Sequence, residues 1–286
     1  MIDALLPLSL GFIMFSLGIS LQPADFVRVF SRPRAIAIGL LMQIVALPLL
    51  AFALLKIFGL GGEMAVGVMI LAACPGGISA GLLTLLAGGE TALSISLTAL
   101  TSLGVLITLP VTVGLALEHF AGAAAPLHLP VMRSGGGIFL ITILPVLLGM
   151  ALRQWRQRLT LCLEKPLAQL STGLFILIVV GTFISQRDVI LLHLAALGPL
   201  LLTLNLAIMG LGFAAAGLGN LNHQGRIAIA MECGLHNAAL GIFVATTLLQ
   251  APTLSVPSVL YAFLMNFTAF GLVGIRNRIL CSPARA

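Results

Sequence analysis

The chain has 286 residues, 60% hydrophobic and 8% charged, with a net charge of +6 and a mean hydropathy of +1.19. Soluble domains carry about 25% charged residues, so a water-soluble fold is excluded and the apolar content belongs to membrane spans. The basic excess does not mark a nucleic-acid binder, because the Lys and Arg residues cluster in a few loops, as membrane orientation requires.

A helical span needs about 20 mainly apolar residues. Nine segments qualify, at approximately 4–21, 35–58, 62–87, 91–116, 134–152, 166–185, 189–217, 225–249 and 254–275. They form a single transmembrane domain over residues 1–286. The first has no basic n-region and no A-x-A cleavage site, so it reads as a retained span. Gln22 to Pro33, with Asp25, Phe26, Val27, Arg28, Val29 and Phe30, reads either as an interfacial amphipathic stretch or as an ordinary loop. The second span holds Gln43, followed by Pro48; Gln43 serves either a neighbouring helix or an ion. In the fourth, Ser94 and Thr98 share a face at i, i+4. Pro199 tilts or kinks the long seventh span, where His193 and Asn205 suit interhelical hydrogen bonds. Gly210, Gly212, Gly217 and Gly219 suit close helix packing. Asn266 lies in the last span. His119, His128 and His223 read as loop or interface residues. Cys74, Cys162, Cys233 and Cys281 show neither metal-ligand spacing nor a disulfide framework.

Two spans are interrupted. The third contains Cys74-Pro75-Gly76-Gly77-Ile78-Ser79-Ala80-Gly81. Pro75 lacks the N–H that a continuous helix needs, and two flexible glycines follow. The eighth contains Glu232-Cys233-Gly234-Leu235-His236-Asn237. Glu232 is the single acid placed within a span. A carboxylate at bilayer depth costs about 2.5–3.5 kcal/mol and persists where it pairs, titrates or binds a cation. Irregular backbone at that depth survives only when buried in protein or lining a cavity. Paired Gly/Pro interruptions at corresponding places in two halves point to a secondary-transporter site. Half-helices starting after the breaks would aim their N–H groups at an anionic substrate group.

The basic residues sort by side. Arg28, Arg32, Arg34, Arg153, Arg156, Arg158, Lys165, Arg226, Arg276, Arg278 and Arg285 fall on one side, and only Lys56, Arg133 and Arg187 on the other. This bias puts the N-terminus outside and the C-terminus in the cytoplasm, in a multi-pass protein of the cytoplasmic (inner) cell membrane.

Four motifs carry a resemblance. Gln43-Ile44-Val45-Ala46-Leu47-Pro48-Leu49-Leu50-Ala51-Phe52, Cys74-Pro75-Gly76-Gly77, Ala92-Leu93-Ser94-Ile95-Ser96-Leu97-Thr98 and Glu232-Cys233-Gly234-Leu235-His236-Asn237 occur in an order and spacing that resemble the bile acid:sodium symporter family over nearly the whole chain. The resemblance implies an all-α membrane fold of two inverted repeats with two discontinuous crossing helices. It implies nine spans, the chain opening at the family's second helix. It implies a panel (about 4–21 and 134–185) and a core (about 35–116 and 189–275). Spans one to four would correspond to six to nine. It further implies two sodium sites. The first would use Ser94, Thr98 and Glu232 with a Ser and an Asn after the Pro-Gly-Gly break. The second would use Gln43, Glu232, carbonyls near Cys233 and Leu235, and a Gln at position 236. Here those three side chains are Ala80, Gly81 and His236. Sodium prefers oxygen ligands, and imidazole is a poor replacement. Ser79 or backbone carbonyls would have to make up the loss.

The expected function is therefore secondary active transport of a small organic anion by alternating access. Ions load at Glu232, Gln43, Ser94, Thr98, His236, Cys233 and Leu235. Substrate meets Ile78, Ser79, Ala80, Asn237 and Asn266, beside the breaks at Pro75, Gly76, Gly77 and Gly234. No cofactor is expected; the coupling ion is sodium or, given His236 four residues from Glu232 (one turn only if the helix continues through the break), a proton. A sodium-independent uniporter, exchanger or channel-like protein is the alternative. An intramembrane enzyme ranks lower, since no His-Glu-x-x-His and no paired intramembrane aspartates occur. The lipid bilayer is the other expected partner, and nucleic acid is not one.

Overall fold

In the computed structural model of the protein, residues 2–121 and 136–281 are described. His128, Arg133 and Arg285 lie outside them, as do the side chains of Phe26, Arg28, Val29, Phe30, Ile78, Arg276 and Arg278. Every named element among the described residues is helical. In chain order these are α1 (Ile2–Ser20), α2 (Pro23–Ser31), α3 (Pro33–Ile57), α4 (Gly62–Ala72), α5 (Ile78–Leu86), α6 (Thr91–Phe120), α7 (Gly136–Trp155), α8 (Gln157–Ser185), α9 (Arg187–Leu218), α10 (His223–Gly234), α11 (Ala238–Leu248) and α12 (Val256–Cys281). Among the described residues, six helices are long and apolar enough to cross a membrane: α3, α6, α7, α8, α9 and the segment Pro252–Gly274 that contains most of α12. The stretch 22–33 contains a short helix, α2, with Val27 exposed.

The helices end where the chain chemistry demands it. Gly59 and Gly88 adopt left-handed φ of 66° and 73° just after α3 and α5, and Leu60 and Gly89 then donate back to Leu55 and Thr84 at 3.0 and 2.7 Å. This closes each helix with a Schellman-type turn, for which glycine has no steric penalty. In α3 the ladder loosens into a π turn over Met42–Ala46. Pro48 explains it, because proline cannot donate to the carbonyl four residues back, that of Ile44.

Helices α1, α7 and α8 pack on one another. A Cβ on Gly18 would lie 2.1 Å from the Val146 carbonyl oxygen, and one on Gly149 would lie 2.4 Å from that of Phe15. Backbones that close require glycine, the usual device for tight helix contact in lipid. Arg153, nearly buried, donates to the Ile19 carbonyl at 2.5 Å and to Glu164 at 3.1 Å. The remaining long helices gather around the two interrupted ones: α9 against α10 and α12, and α6 against α4, α5 and α10.

Candidate functional site

Helix α4 stops at Ala72 and α5 starts at Ile78; α10 stops at Gly234 and α11 starts at Ala238. The two gaps meet. Gly76 and His236 form an antiparallel bridge. Gly77 N–H donates to the Leu235 carbonyl at 3.0 Å, and Asn237 N–H donates to that of Pro75 at 2.9 Å. Each break thus supplies hydrogen-bond partners for the other, which is what allows non-helical backbone in a dry interior. Asn237 also caps α11, its Oδ1 accepting from Leu240 N–H at 3.1 Å.

Glu232 sits on the last turn of α10, fully buried. Ser94 Oγ donates to its Oε2 at 2.6 Å and Thr98 Oγ1 to its Oε1 at 2.5 Å. The i, i+4 spacing on α6 is what places one hydroxyl on each carboxylate oxygen. Gln43 Nε2, from the π turn of α3, donates to the Glu232 backbone carbonyl at 2.8 Å. A Cβ on Gly76 would stand 2.0 Å from Glu232 Oε1. The glycine of the first break is therefore the wall on which the carboxylate of the second break lies. Four of the expected ion residues (Gln43, Ser94, Thr98 and Glu232) are brought together at this junction, with Cys233 and Leu235 buried beside them.

His236 is 2% exposed and takes part in the bridge, with its ring 5.6 Å from that of Tyr261. Neither ring nitrogen reaches a partner at hydrogen-bond geometry, although the carbonyls of Cys74 and Cys233 flank the ring. The one-turn relation to Glu232 does not arise, because α10 ends at Gly234. No hydrogen bond joins the two side chains; those to the Glu232 carboxylate come from Ser94 and Thr98.

The expected substrate residues divide. Ser79 is half-buried at the start of α5, whereas Ala80 is fully buried and packs in the core rather than facing a cavity. The Nδ2 of Asn237 faces Met14 Sδ of α1 at 3.8 Å. Asn266 is half-buried and donates to its own helix, to the Ala262 carbonyl at 2.7 Å. Asn205 does make the interhelical bond, donating to the Gly234 carbonyl at 2.9 Å. His193 instead contacts the Val189 carbonyl of its own helix at 2.9 Å. Of the four glycines read as packing residues, Gly212, Gly217 and Gly219 face Cys233, Arg226 and Ile38 closely, while Gly210 faces open space.

Tyr261 escaped the sequence reading. It is fully buried, its hydroxyl donates to the Gly234 carbonyl at 3.0 Å, and Asn205 Nδ2 lies 2.9 Å from that hydroxyl. Two donors thus saturate the carbonyl at the C-terminal end of α10. The available signal was its rarity: it is the chain's single tyrosine.

The sequence profile of the sodium bile acid symporter family matches residues 7–193. The chain belongs to this family. It is 29% identical over 275 residues to the uncharacterized sodium-dependent transporter YocS of Bacillus subtilis (strain 168), covering 93% of this chain and 81% of that protein. It is 29% identical to the sodium-dependent organic anion transporter of Rattus norvegicus, over 96% of this chain and 71% of that one. A probable sodium/metabolite cotransporter of rice chloroplasts, BASS2, is 26% identical over 96% of this chain and 64% of its own length. Like its relatives in the sodium bile acid symporter family, the chain is a multi-pass membrane protein and a secondary transporter, not an enzyme.

Proposed function

We propose that this family member moves a small organic anion across the cytoplasmic membrane by alternating access, coupled to a sodium ion carried at Glu232, Ser94 and Thr98. The observation that carries the reading is the buried carboxylate of Glu232, clasped by two hydroxyls where two interrupted helices pair. A carboxyl group at such a depth persists where it pairs, titrates or binds a cation. The names of the relatives bring sodium forward as that cation and organic anions as cargo.

In this reading the chain crosses the membrane nine times, with α4–α5 and α10–α11 each counting as one broken span. The set α1, α3, α4–α5 and α6 repeats, inverted, as α8, α9, α10–α11 and α12. Helices α1, α7 and α8 form a panel, against which the remainder moves as a core. The N-terminus is outside and the C-terminus cytoplasmic. Substrate anion binds beside Ser79, at the N-terminal end of α5, where helix amides favour negative charge; Asn237 and Asn266 lie along the same core–panel boundary. Asn237, facing Met14 of α1, is covered in this arrangement and opens when panel and core separate.

A second reading has the proton as coupling ion. It is favoured by the oxygen-poor residues Ala80 and Gly81 and by the imidazole of His236. The test is uptake of labelled organic anions into proteoliposomes, with sodium replaced by choline, at several pH values. Sodium-dependent uptake that is lost in Glu232→Gln supports the first reading. Uptake indifferent to sodium and driven by an inward proton gradient supports the second. Uptake indifferent to both cations and to Glu232→Gln defeats both.

A further inference from the structure

Two clefts meet at Arg32, where the chain passes from α2 into α3. The first encloses about 400 Å³ and is walled by the α2–α3 joint, by Glu90 ahead of α6 and by the turn over 219–222 between α9 and α10. Its charged side chains are two arginines, Arg32 and Arg34, against one carboxylate, Glu90. Glu90 is spent on Arg32, whose Nη1 donates to it at 2.6 Å. The guanidinium keeps further N–H donors for another anion. Among the described residues no carboxylate pairs with the exposed Arg34. Helix α3 begins at Pro33 without a capping side chain. The amides of Arg34 and Ala35, both on the cleft wall, have no carbonyl within their own helix to bond. Asn222 adds a donor: its Oδ1 accepts from Gly225 N–H at 2.9 Å, which leaves its Nδ2 for the cleft. The second cleft, about 370 Å³, shares Ser31 and Arg32 with the first and runs over Ala24 and Val27 of α2. Ala24 and Val27 are exposed and lie three residues apart on one face of that helix.

We infer that the joined clefts hold one anionic phospholipid, its headgroup phosphate between Arg32 and Arg34 and an acyl chain along Ala24 and Val27. The shared chemistry with a free phosphate is the ring of donors, and three observations choose the lipid. Two arginines less one glutamate leave a single positive charge, which matches a phosphodiester; a phosphomonoester carries about −1.5 to −2. The polar cleft opens onto an apolar strip, a shape that an amphiphile fills at both ends and a free phosphate at one. The strip lies on a short helix between the apolar helices α1 and α3, where an amphipathic segment sits in the membrane surface. Basic pockets between helices on the cytoplasmic side suit anionic headgroups; that this face is cytoplasmic rests on the orientation proposed above. Helix α2 packs on α6, so a lipid here ties the joint between α1 and the core to the turns that precede α6 and α10.

The test is binding, read in detergent without substrate or sodium, so it stands or falls apart from the transport reading and from the orientation. Purified full-length protein is titrated with short-chain phosphatidylglycerol, with phosphatidylcholine of the same chains and with inorganic phosphate. Melting temperature follows each ligand, and native mass spectrometry counts the lipids retained per chain. One phosphatidylglycerol is expected to be retained, with about tenfold preference over phosphatidylcholine. Arg34→Gln is expected to weaken it about tenfold, the loss of a charged donor. Arg34→Lys, which keeps the charge but not the planar fork, should weaken it about threefold. Val27→Ser is expected to weaken the lipid about fivefold by uncovering its chain. Arg158→Gln, at an exposed arginine of α8 outside the clefts, should stay within about twofold of the parent. Equal retention of the two lipids would overturn the inference. So would equal losses in Arg34→Gln and Arg158→Gln, the mark of a basic face that attracts lipid without a site. Inorganic phosphate that displaces phosphatidylglycerol and matches its melting shift would make the occupant a soluble anion and overturn it as well.

Discussion

The contact between Gly76 and Glu232 offers the sharpest quantitative test of the junction. Alanine at position 76 places a Cβ 2.0 Å from Glu232 Oε1, 2.9 Å from Cδ and 3.1 Å from Thr98 Oγ1. Real Cβ atoms essentially never approach a neighbour closer than 3.0 Å, so the carboxylate must retreat by about 1 Å. The backbone of residue 76 is not in the left-handed region, so alanine meets no conformational strain and the whole effect is this collision. A retreat of that size stretches the 2.5 Å bond from Thr98 to the edge of hydrogen bonding. Loss of a bond to a charged group costs about 1.5–3 kcal/mol, and overpacking costs about 1–3 kcal/mol. Gly76→Ala is therefore expected to lose about 3–5 kcal/mol, a melting shift on the order of 10 °C, together with sodium-driven uptake. The decisive measurement is a double-mutant cycle with Glu232→Ala, which vacates the space. In that background Gly76→Ala should be close to neutral, giving a coupling close to the full loss, about 3–5 kcal/mol. An alanine equally damaging with and without the Glu232 side chain would refute the claim that the carboxylate rests on Gly76.

Changes at four other residues probe three further parts of the structure. Thr98→Val removes one of the two hydroxyl donors to Glu232 and is expected to weaken sodium stimulation of uptake about tenfold or more, with Thr98→Ser restoring most of it; uptake titrations with sodium read both. Tyr261→Phe leaves Asn205 on the Gly234 carbonyl and should cost about 1 kcal/mol. Asn205→Leu combined with it should exceed the sum of the single losses in thermal melts, because the last donor is then gone. Arg32 and Glu90 form a 2.6 Å ion pair, but the side chains are 50% and 17% exposed. Arg32→Gln should therefore shift stability by no more than about 1 kcal/mol, and a larger drop in melting temperature would count against reading the pair as a surface contact.

The spans were legible as long apolar runs punctuated by glycine, proline and charge, but their bounds less so: α8 begins at Gln157, well before the apolar run at 166. The interruption at Pro75-Gly76-Gly77 was legible from the missing N–H, and the second from polar residues where none should lie. Ser94 and Thr98 were legible as a shared face, though nothing in their spacing says that they grip opposite oxygens of one carboxylate. Other features were hidden for a physical reason. The bridge between Gly76 and His236 is made by backbone groups, which no side chain announces. The Glu232–His236 spacing suggested one turn, but spacing converts to distance only while the helix continues, and α10 ends between them. Ala80 follows a break expected to line a cavity, yet it lies on the packed face of α5. Burial depends on which neighbour the half-helix meets, and that is a tertiary fact.

The pairing of the two breaks also limits how this junction can move. Separating them would strip Gly77 N–H from the Leu235 carbonyl and Asn237 N–H from that of Pro75. It would also disturb the grip of Ser94 and Thr98 on Glu232 and of Gln43 on its carbonyl. In a dry interior each of the four unsatisfied backbone groups costs several kcal/mol, together more than binding one ion or one small anion commonly returns. The seam between α1 and α11 is weaker by comparison: the contact of Asn237 Nδ2 with Met14 Sδ spans 3.8 Å and involves a thioether, a poor acceptor. In the alternating access proposed above, motion would follow the weak seam: the crossing would travel as one piece against α1, α7 and α8, and Glu232 would keep its hydroxyl clasp while the side it faces changes.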